Sequence, residues 1–534
     1  MRHLITRFPF CVALLVAPLG CAVGPNFHKP QPPHDAGFTT APLPDATAST
    51  TGPGGDAQRF VMGQDVDYQW WKAFGSPAID SLVERSFKAN PSIKAAQAAL
   101  GQAQEMVYAQ EGYFFPSVGA DYNFERQKLA GNLSGSSAPG VQGNGTSITA
   151  VQNPSPTTTV HNEPLYFNFH TASLAVGFVP DVFGANRRKV ESLDAQAQMQ
   201  RFELEATYLS LASNVVAAAI QEASTRAQLA ATQEIIAFNE KSLAVLRNKF
   251  NLGFVTRIDL AAGELQLAQA KSALPPLVKQ FEQNRDLLRV LVGNLPNEDI
   301  PETVELSSLT LPTQLPVTLP SKIIEQRPDV RAAEEQLRSA NAQVGVAIAA
   351  MLPQFNITGT VGGTATQFGQ MFSSGGPFWT LIGDVSQPIF EGGTLLHTKR
   401  AADQALRQAA AQYQNTVLTA YQNVADTLHA LVTDADALVA AADMERAAKL
   451  TLDLSYQRME SGYSDYLTEL GAAEAYQQAV LNLAQAQSAR FSDTAALYQS
   501  LGGGWWNRKS ASLGARGIGN APSDDPARGL YAAR

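Results

Sequence analysis

The sequence has only two cysteines, Cys11 and Cys21, which excludes a disulfide framework and any multi-cysteine zinc site. Charged residues are 16 % of the 534-residue chain, against about 25 % in an average domain. The formal net charge is −9, so a nucleic-acid binder, which needs a basic face, is disfavoured. A disordered acidic chain is disfavoured too, because 45 % of residues are apolar. Beyond residue 20 no stretch reaches the ~18 apolar residues of a membrane helix. The seven histidines (His3, His28, His34, His161, His170, His397, His429) include no pair at metal-ligand spacing on one helix face. There is no phosphate-cradling glycine motif and no nucleophile elbow. The residues therefore support no enzyme, no catalytic or metal site and no cofactor. Eight methionines form no ladder, which weakens a copper-specific duct.

What is present begins with an export signal. Arg2 and Arg7 precede an apolar stretch, Phe8–Leu19, too short to span a bilayer as a helix. Residues 1–20 read as a signal peptide, and Cys11 leaves with it. Gly20 followed by Cys21 reads as a lipoprotein cleavage site, although Pro18 stands three before the cysteine, where Leu is usual. Cys21 then carries a covalent lipid. Ala22 gives no retention signal of the Asp type, so the chain sorts to the outer membrane. Without a membrane helix, a chain that crosses the membrane must do so with strands.

Residues 21–69 read as a lipidated, extended arm rich in Pro, Thr, Gly and Ala. At 117–125, Val118, Ala120, Tyr122 and Phe124 alternate with Ser117, Gly119, Asp121 and Asn123, a strand with one apolar and one polar face. Residues 126–165 read as a loop, and a second strand covers about 168–180. A helix starting at about 186 runs to about Phe250, with Leu229, Ile236, Leu243 and Phe250 every seven residues. After the tip at 251–257, Leu260, Leu267, Leu274, Phe281 and Leu288 keep the same period. A seven-residue period on both arms predicts an antiparallel coiled-coil hairpin at about 186–292. Pro275-Pro276 predicts that the return arm is two stacked helices.

The second half repeats the first. Asn90-Pro91 matches Arg327-Pro328 and Pro116 matches Pro353, both 237 residues apart, while Gly253 matches Gly462 and Gly293 matches Gly502 at 209. The first repeat covers 70–305. The second covers 306–505, with strands at about 354–362 and 378–387, a hairpin at about 393–500 and a tip at 461–467. Residues 506–534 read as a disordered tail. Trp505 and Trp506 read as packing of the terminus.

Four strands of membrane length cannot close a barrel, and an open edge in lipid leaves backbone groups unpaired. Two chains would give eight strands and no channel. Three give twelve and room for one. The fold class is therefore mainly α with a membrane β-barrel: a homotrimer forming a 12-stranded barrel and a periplasmic α-helical tunnel. Asn123, Asn356 and Thr358 should face the lumen, and Val118, Tyr122, Phe355, Ile357 and Trp379 the lipid.

The sequence resembles a known family. Cys21–Phe27 (CAVGPNF), Trp70-Trp71 with Phe74, Asp181–Gly184 (DVFG), the run Arg327–Phe355 and Phe390–Gly393 (FEGG) are similar to those of TolC-like outer-membrane efflux factors. The likeness is to the lipoprotein branch serving resistance–nodulation–division pumps. It implies an outer-membrane exit duct of a tripartite efflux pump that conducts drug-like or toxic small molecules without catalysis. It also implies two partners, a periplasmic membrane-fusion adaptor and an inner-membrane transporter. Adaptor docking falls on the tips, at Gly253, Phe254, Val255, Thr256, Arg257 and Gly462. Arg257 could instead pair across to the neighbouring hairpin or stay solvated. Asp465, with Tyr463 and Ser464, is the aperture candidate, since threefold symmetry would make it a carboxylate ring. The other readings are an exit duct for protein secretion and a structural periplasmic coiled-coil lipoprotein.

Overall fold

The structure is a computed structural model of the chain. It describes residues 22–31, 37–129, 141–143, 146–148, 165–461 and 466–508. In chain order the elements are β1 (Arg59–Met62), α1 (Pro77–Ala89), α2 (Pro91–Glu111), β2 (Ser117–Leu129), β3 (Val141–Gly143), β4 (Thr146–Ile148) and β5 (Leu165–Phe178). Then come α3 (Ala185–Asn251), α4 (Arg257–Leu291), β6 (Gln314–Val317), α5 (Pro320–Gln326), α6 (Pro328–Ala349), β7 (Gln354–Ala365), β8 (Pro377–Ser386), α7 (Thr394–Glu460) and α8 (Tyr466–Ser500). The repeat is visible in the lengths: α3 and α7 each have 67 residues, and α4 and α8 each have 35.

Local chemistry sets the boundaries. Ser76 caps α1 by accepting from the Ile79 amide, and Pro77 takes the first helical position, where its missing N–H costs nothing. Asn90 stands before Pro91 in extended backbone, as a pre-proline residue must. Its Oδ1 accepts from the Ser92 amide, and its Nδ2 donates to the Leu291 carbonyl.

The chain forms two compact units. One is built from Gln104–Asp194 and Arg338–Arg407 with the described part of the segment ending at Phe27. It holds a four-stranded antiparallel sheet of order β2-β5-β7-β8. The other holds α1, α4, α5 and α8, most of α3 and α7, and the parallel pair β1–β6. Its core gathers Trp70, Trp71, Phe74, Ile79 and Leu82 from the first repeat with Leu428, Phe491 and Tyr498 from the second. Trp70 stacks on Tyr498 with ring centroids 5.5 Å apart.

Two expectations are corrected. The return arm is one helix, α4, through Pro275 and Pro276. Both prolines are exposed, so the carbonyls they leave without a donor are on a hydrated face, and a helix held by packing at both ends tolerates the local loss. The tail is ordered past 506: Trp505–Asn507 is a short 3-10 turn. Trp505 donates to the Gln326 carbonyl at 2.7 Å, and Trp506 and Asn507 both donate to Asp65. Arg508 pairs with Glu205 and lies over the rings of Tyr68 and Tyr208. Residues 509–534 lie outside the described residues.

In the helical unit a charged cluster joins the arm to the second hairpin. Arg490 is fully buried and donates to the Leu431 carbonyl and to Thr47 Oγ1, both at 2.6 Å. Burial and then the adjacent Asp434 push the Asp493 carboxyl up to about 7, against the pull of Arg490. A carboxyl raised in the fold stabilises fully below the unfolded value of about 4 and loses that contribution as pH rises. The loss is complete above about 7. The melting temperature in detergent should therefore fall between pH 5 and pH 8, and Asp493→Asn should flatten that slope.

Candidate functional site

Strand pairing decides what each face of the sheet presents. On one face Val118, Ala120, Tyr122 and Phe124 of β2 stand opposite Val176, Leu174, Ala172 and His170 of β5. The same face continues with Ile357, Gly359 and Val361 of β7 and with Trp379, Leu381 and Val385 of β8. Val118, Tyr122, Val361, Trp379, Leu381 and Val385 are each more than half exposed. The other face carries Ser117, Asp121 and Asn123 across from Gly177, Ser173 and Thr171, and Asn356 and Thr358 across from Asp384 and Ile382. Apart from Ala175, Ile382 and the glycines this face is polar over that span, and all three carboxylates of the sheet (Asp121, Glu125, Asp384) lie on it. The predicted lumen residues Asn123, Asn356 and Thr358 thus share one face, and the predicted lipid residues Val118, Tyr122, Phe355, Ile357 and Trp379 share the other. A broad exposed apolar sheet face has no place in water. The strands have 13, 14, 12 and 10 residues, enough for the 9–11 or so of a tilted membrane strand. β2 and β8 each keep one edge unpaired among the described residues. Among the described residues no helix is long and apolar enough to cross a membrane.

The N-terminal arm is fastened to this unit. Cys21 lies outside the described residues, but Ala22–Phe27 does not. The Val23 amide donates to the Phe183 carbonyl at 3.1 Å. Arg188, nearly buried, donates from Nε to the Val23 carbonyl and from Nη2 to the Gly24 carbonyl and Asn26 Oδ1. Asn341 Nδ2 donates to the Pro25 carbonyl at 2.9 Å. The seat needs glycine on both sides: a Cβ on Gly24 (φ +95°) would stand 2.5 Å from the Gly345 Cα. The DVFG motif builds the adjoining wall. Asp181 accepts from the Asn186 and Arg187 amides at the start of α3, and Gly184 (φ +77°) lies against Ala22.

The first tip is closed from both sides. Phe254 donates its amide to the Lys249 carbonyl and Gly253 (φ +80°) donates to Phe250, the pattern of a left-handed helix stop. Thr256 and Asp259 then form a reciprocal capping box for α4. Val255 packs inward against Leu243, Leu246 and Leu260. Arg257 lies 6.0 Å from the Phe250 ring, a contact inside its own hairpin. Leu252, Phe254 and Ile258 stay 71 %, 77 % and 75 % exposed. Sequence reasoning named Phe254 but passed over Leu252 and Ile258. The available signal was three large apolar residues within seven of a turn that the heptad stripe does not use. The second-tip candidates Gly462, Tyr463, Ser464 and Asp465 lie outside the described residues. Close beside that tip, Glu469 is buried and accepts from Ser242 Oγ at 3.0 Å. Burial raises its carboxyl above the usual range, with the Ser242 bond and Lys249 opposing.

The model of a family described as "Outer membrane efflux protein" matches residues 82–294 and 319–503. The chain is 26 % identical over 504 residues to the antibiotic efflux pump outer membrane protein ArpC of Pseudomonas putida, covering 92 % of this chain and 94 % of ArpC. It is 27 % identical over 441 residues to the pyoverdine export outer membrane protein OpmQ of the same species, covering 82 % and 88 %. Its fold is that of the Campylobacter jejuni CmeC outer membrane channel, with a TM-score of 0.76 at 20 % identity over 92 % of this chain and 97 % of CmeC.

The seat of the arm yields a direct test. Arg188→Ala removes three hydrogen bonds from a buried charge, worth about 1.5–3 kcal/mol each at most. Chymotrypsin cleavage after Phe27 in the purified protein should then accelerate by about tenfold or more. Gly24→Val should act in the same direction.

Proposed function

Because the chain belongs to the outer membrane efflux protein family, we propose that three copies close one 12-stranded barrel and that this barrel is the exit of a tripartite efflux pump. The carrying observation is the four-stranded sheet with one apolar face, one polar face and two open edges. Each edge left in hydrocarbon would cost several kcal/mol per unpaired backbone group. Pairing β8 of one copy with β2 of the next removes every edge, and twelve strands leave a lumen where eight would be filled by side chains.

The chain is an outer-membrane efflux protein, and its part in transport is passive. ArpC and OpmQ are named for an antibiotic and for pyoverdine, different cargoes, which fits a duct that leaves selection to its partners. In our reading the strand ends that lead into helices are periplasmic, and the partners are a periplasmic adaptor and an inner-membrane transporter of the resistance–nodulation–division type. Cys21 carries the lipid, one residue before a segment already seated by Arg188 and Asn341. The exposed Leu252, Phe254 and Ile258 with Gly253, Thr256 and Arg257 receive the adaptor. Gly462 turns the second hairpin, where Asp465, flanked by Tyr463 and Ser464, forms the ring at the aperture.

Purified protein in a planar bilayer should give single-channel currents with a cation preference, as the polar-face carboxylates require. Asp465→Asn should raise the closed-state conductance. Absence of any current would remove the duct reading. Phe254→Glu should leave those currents unchanged, yet lower adaptor co-purification and return the cells to the drug susceptibility of a deletion strain.

A further inference from the structure

The apolar face of β2 and β5 turns polar and basic before the strands end. Along β2 the apolar face runs Val118, Ala120, Tyr122, Phe124 and then continues as Arg126 and Lys128. Their partners on β5 change in step: His170 opposite Phe124, then Asn168 opposite Arg126 and Tyr166 opposite Lys128. On the other face β2 stays polar through Glu125 and Gln127, while the β5 partner of Glu125 is Phe169, which is 4 % exposed. The change falls at one rung. There Tyr122 Oη and His170 Nδ1 are 2.9 Å apart, and Phe124, His170 and Phe368 pack edge and face. Aromatic rings of this kind mark the edge of the hydrocarbon.

Just beyond that edge stand two cations, Arg126 and Lys128, that meet no carboxylate among the described residues. Arg126 and Lys128 are both exposed. Among the described residues neither forms an ion pair, and Lys128 Nζ lies 5.3 Å from the centroid of the Tyr166 ring. The sheet's carboxylates are all on the opposite face. Alternate residues on a strand are about 7 Å apart and directly opposed ones about 5 Å. The guanidinium, the ammonium, the Asn168 amide and the Tyr166 hydroxyl therefore make one donor patch, about the size of a phosphorylated sugar, with only neutral or positive groups. A guanidinium takes phosphate through two parallel N–H donors, and an ammonium adds a point charge.

We infer that Arg126 and Lys128, with Asn168 and Tyr166, bind the phosphorylated headgroup of a glycolipid in the outer leaflet, whose chains lie along Tyr122, Leu174 and Val176. The choice of leaflet rests on the orientation proposed above, with the helices on the periplasmic side. The patch lies at the strand ends away from those helices. The bound lipid would cover the sheet beside the β2 edge, where the next copy joins.

The test uses the full-length protein in detergent, titrated with diphosphoryl lipid A, with the same lipid A after removal of its phosphates, and with phosphatidylglycerol. Bound lipid is read by native mass spectrometry. Wild type should retain diphosphoryl lipid A over both others. Arg126→Gln with Lys128→Gln should bind it about thirty-fold more weakly, and Arg126→Lys with Lys128→Arg should hold within about threefold of wild type. Circular dichroism establishes that each variant is folded. Equal retention by the Gln variant, or equal binding of the dephosphorylated lipid, overturns the inference. Equal binding of phosphatidylglycerol also overturns it, since it marks a patch that reads only negative charge. Conductance measured on the same preparation separates the two proposals. A conducting pore without phosphate selectivity removes only this one, and phosphate selectivity without a pore removes only the duct.

Discussion

In hydrocarbon a backbone N–H or C=O without a partner costs several kcal/mol, and no solvent is present to supply one. The four-stranded sheet of this chain meets that demand along its inner strands and leaves it unmet at β2 and β8. The side-chain pattern shows that the sheet is nevertheless built for lipid on one side. A monomer with this face and these edges is an unfinished object, and the homotrimer proposed here is the smallest closure that leaves a lumen. The lengths of the strands and the parity of their side chains fit the same setting.

The helices obey a different constraint. A 67-residue helix has no stability of its own sufficient to keep it straight in water. It depends on a continuous seam of partners. The 35-residue α4 and α8 supply part of such seams, Asn284 of α4 donating to Thr225 of α3 and Arg490 of α8 to the Leu431 carbonyl of α7. The tips need not be alike, because the seam ends before them. The first is capped by its own Thr256 and Asp259 and shows Leu252, Phe254 and Ile258 to solvent. The corresponding stretch of the second carries Tyr463, Ser464 and Asp465.

The N-terminal arm shows how an extended segment is held without secondary structure. Its carbonyls at Val23, Gly24 and Pro25 are taken by Arg188 and Asn341. Further on, Thr47 takes a bond from buried Arg490, and Arg59–Met62 pairs with Gln314–Val317. Apart from the Thr47 hydroxyl, each fastening replaces water on a polar backbone group, which is what an arm lying on protein must find. The glycines at 24, 184 and 345 are where the backbones come closest.

Sequence alone determined the elements whose signal is local and periodic. Alternation over 117–124 placed a strand and the faces of its residues. The seven-residue stripes placed the hairpins, and Pro and Gly punctuation exposed the repeat. What only tertiary structure decided involves groups far apart in the chain or a choice made by solvent. Pro275 and Pro276 should break a helix, yet they lie on an exposed face where water takes the freed carbonyls. Asn507 and Arg508 looked like the start of a loose tail, yet Asp65 and Glu205, remote in sequence, hold them. Arg188 is an unremarkable helix residue until Val23 and Gly24 are laid beside it. The end of the apolar face at Phe124 and His170 was hidden because period-two alternation reports that faces differ, while only the paired register shows which neighbours share a face and where lipid ends.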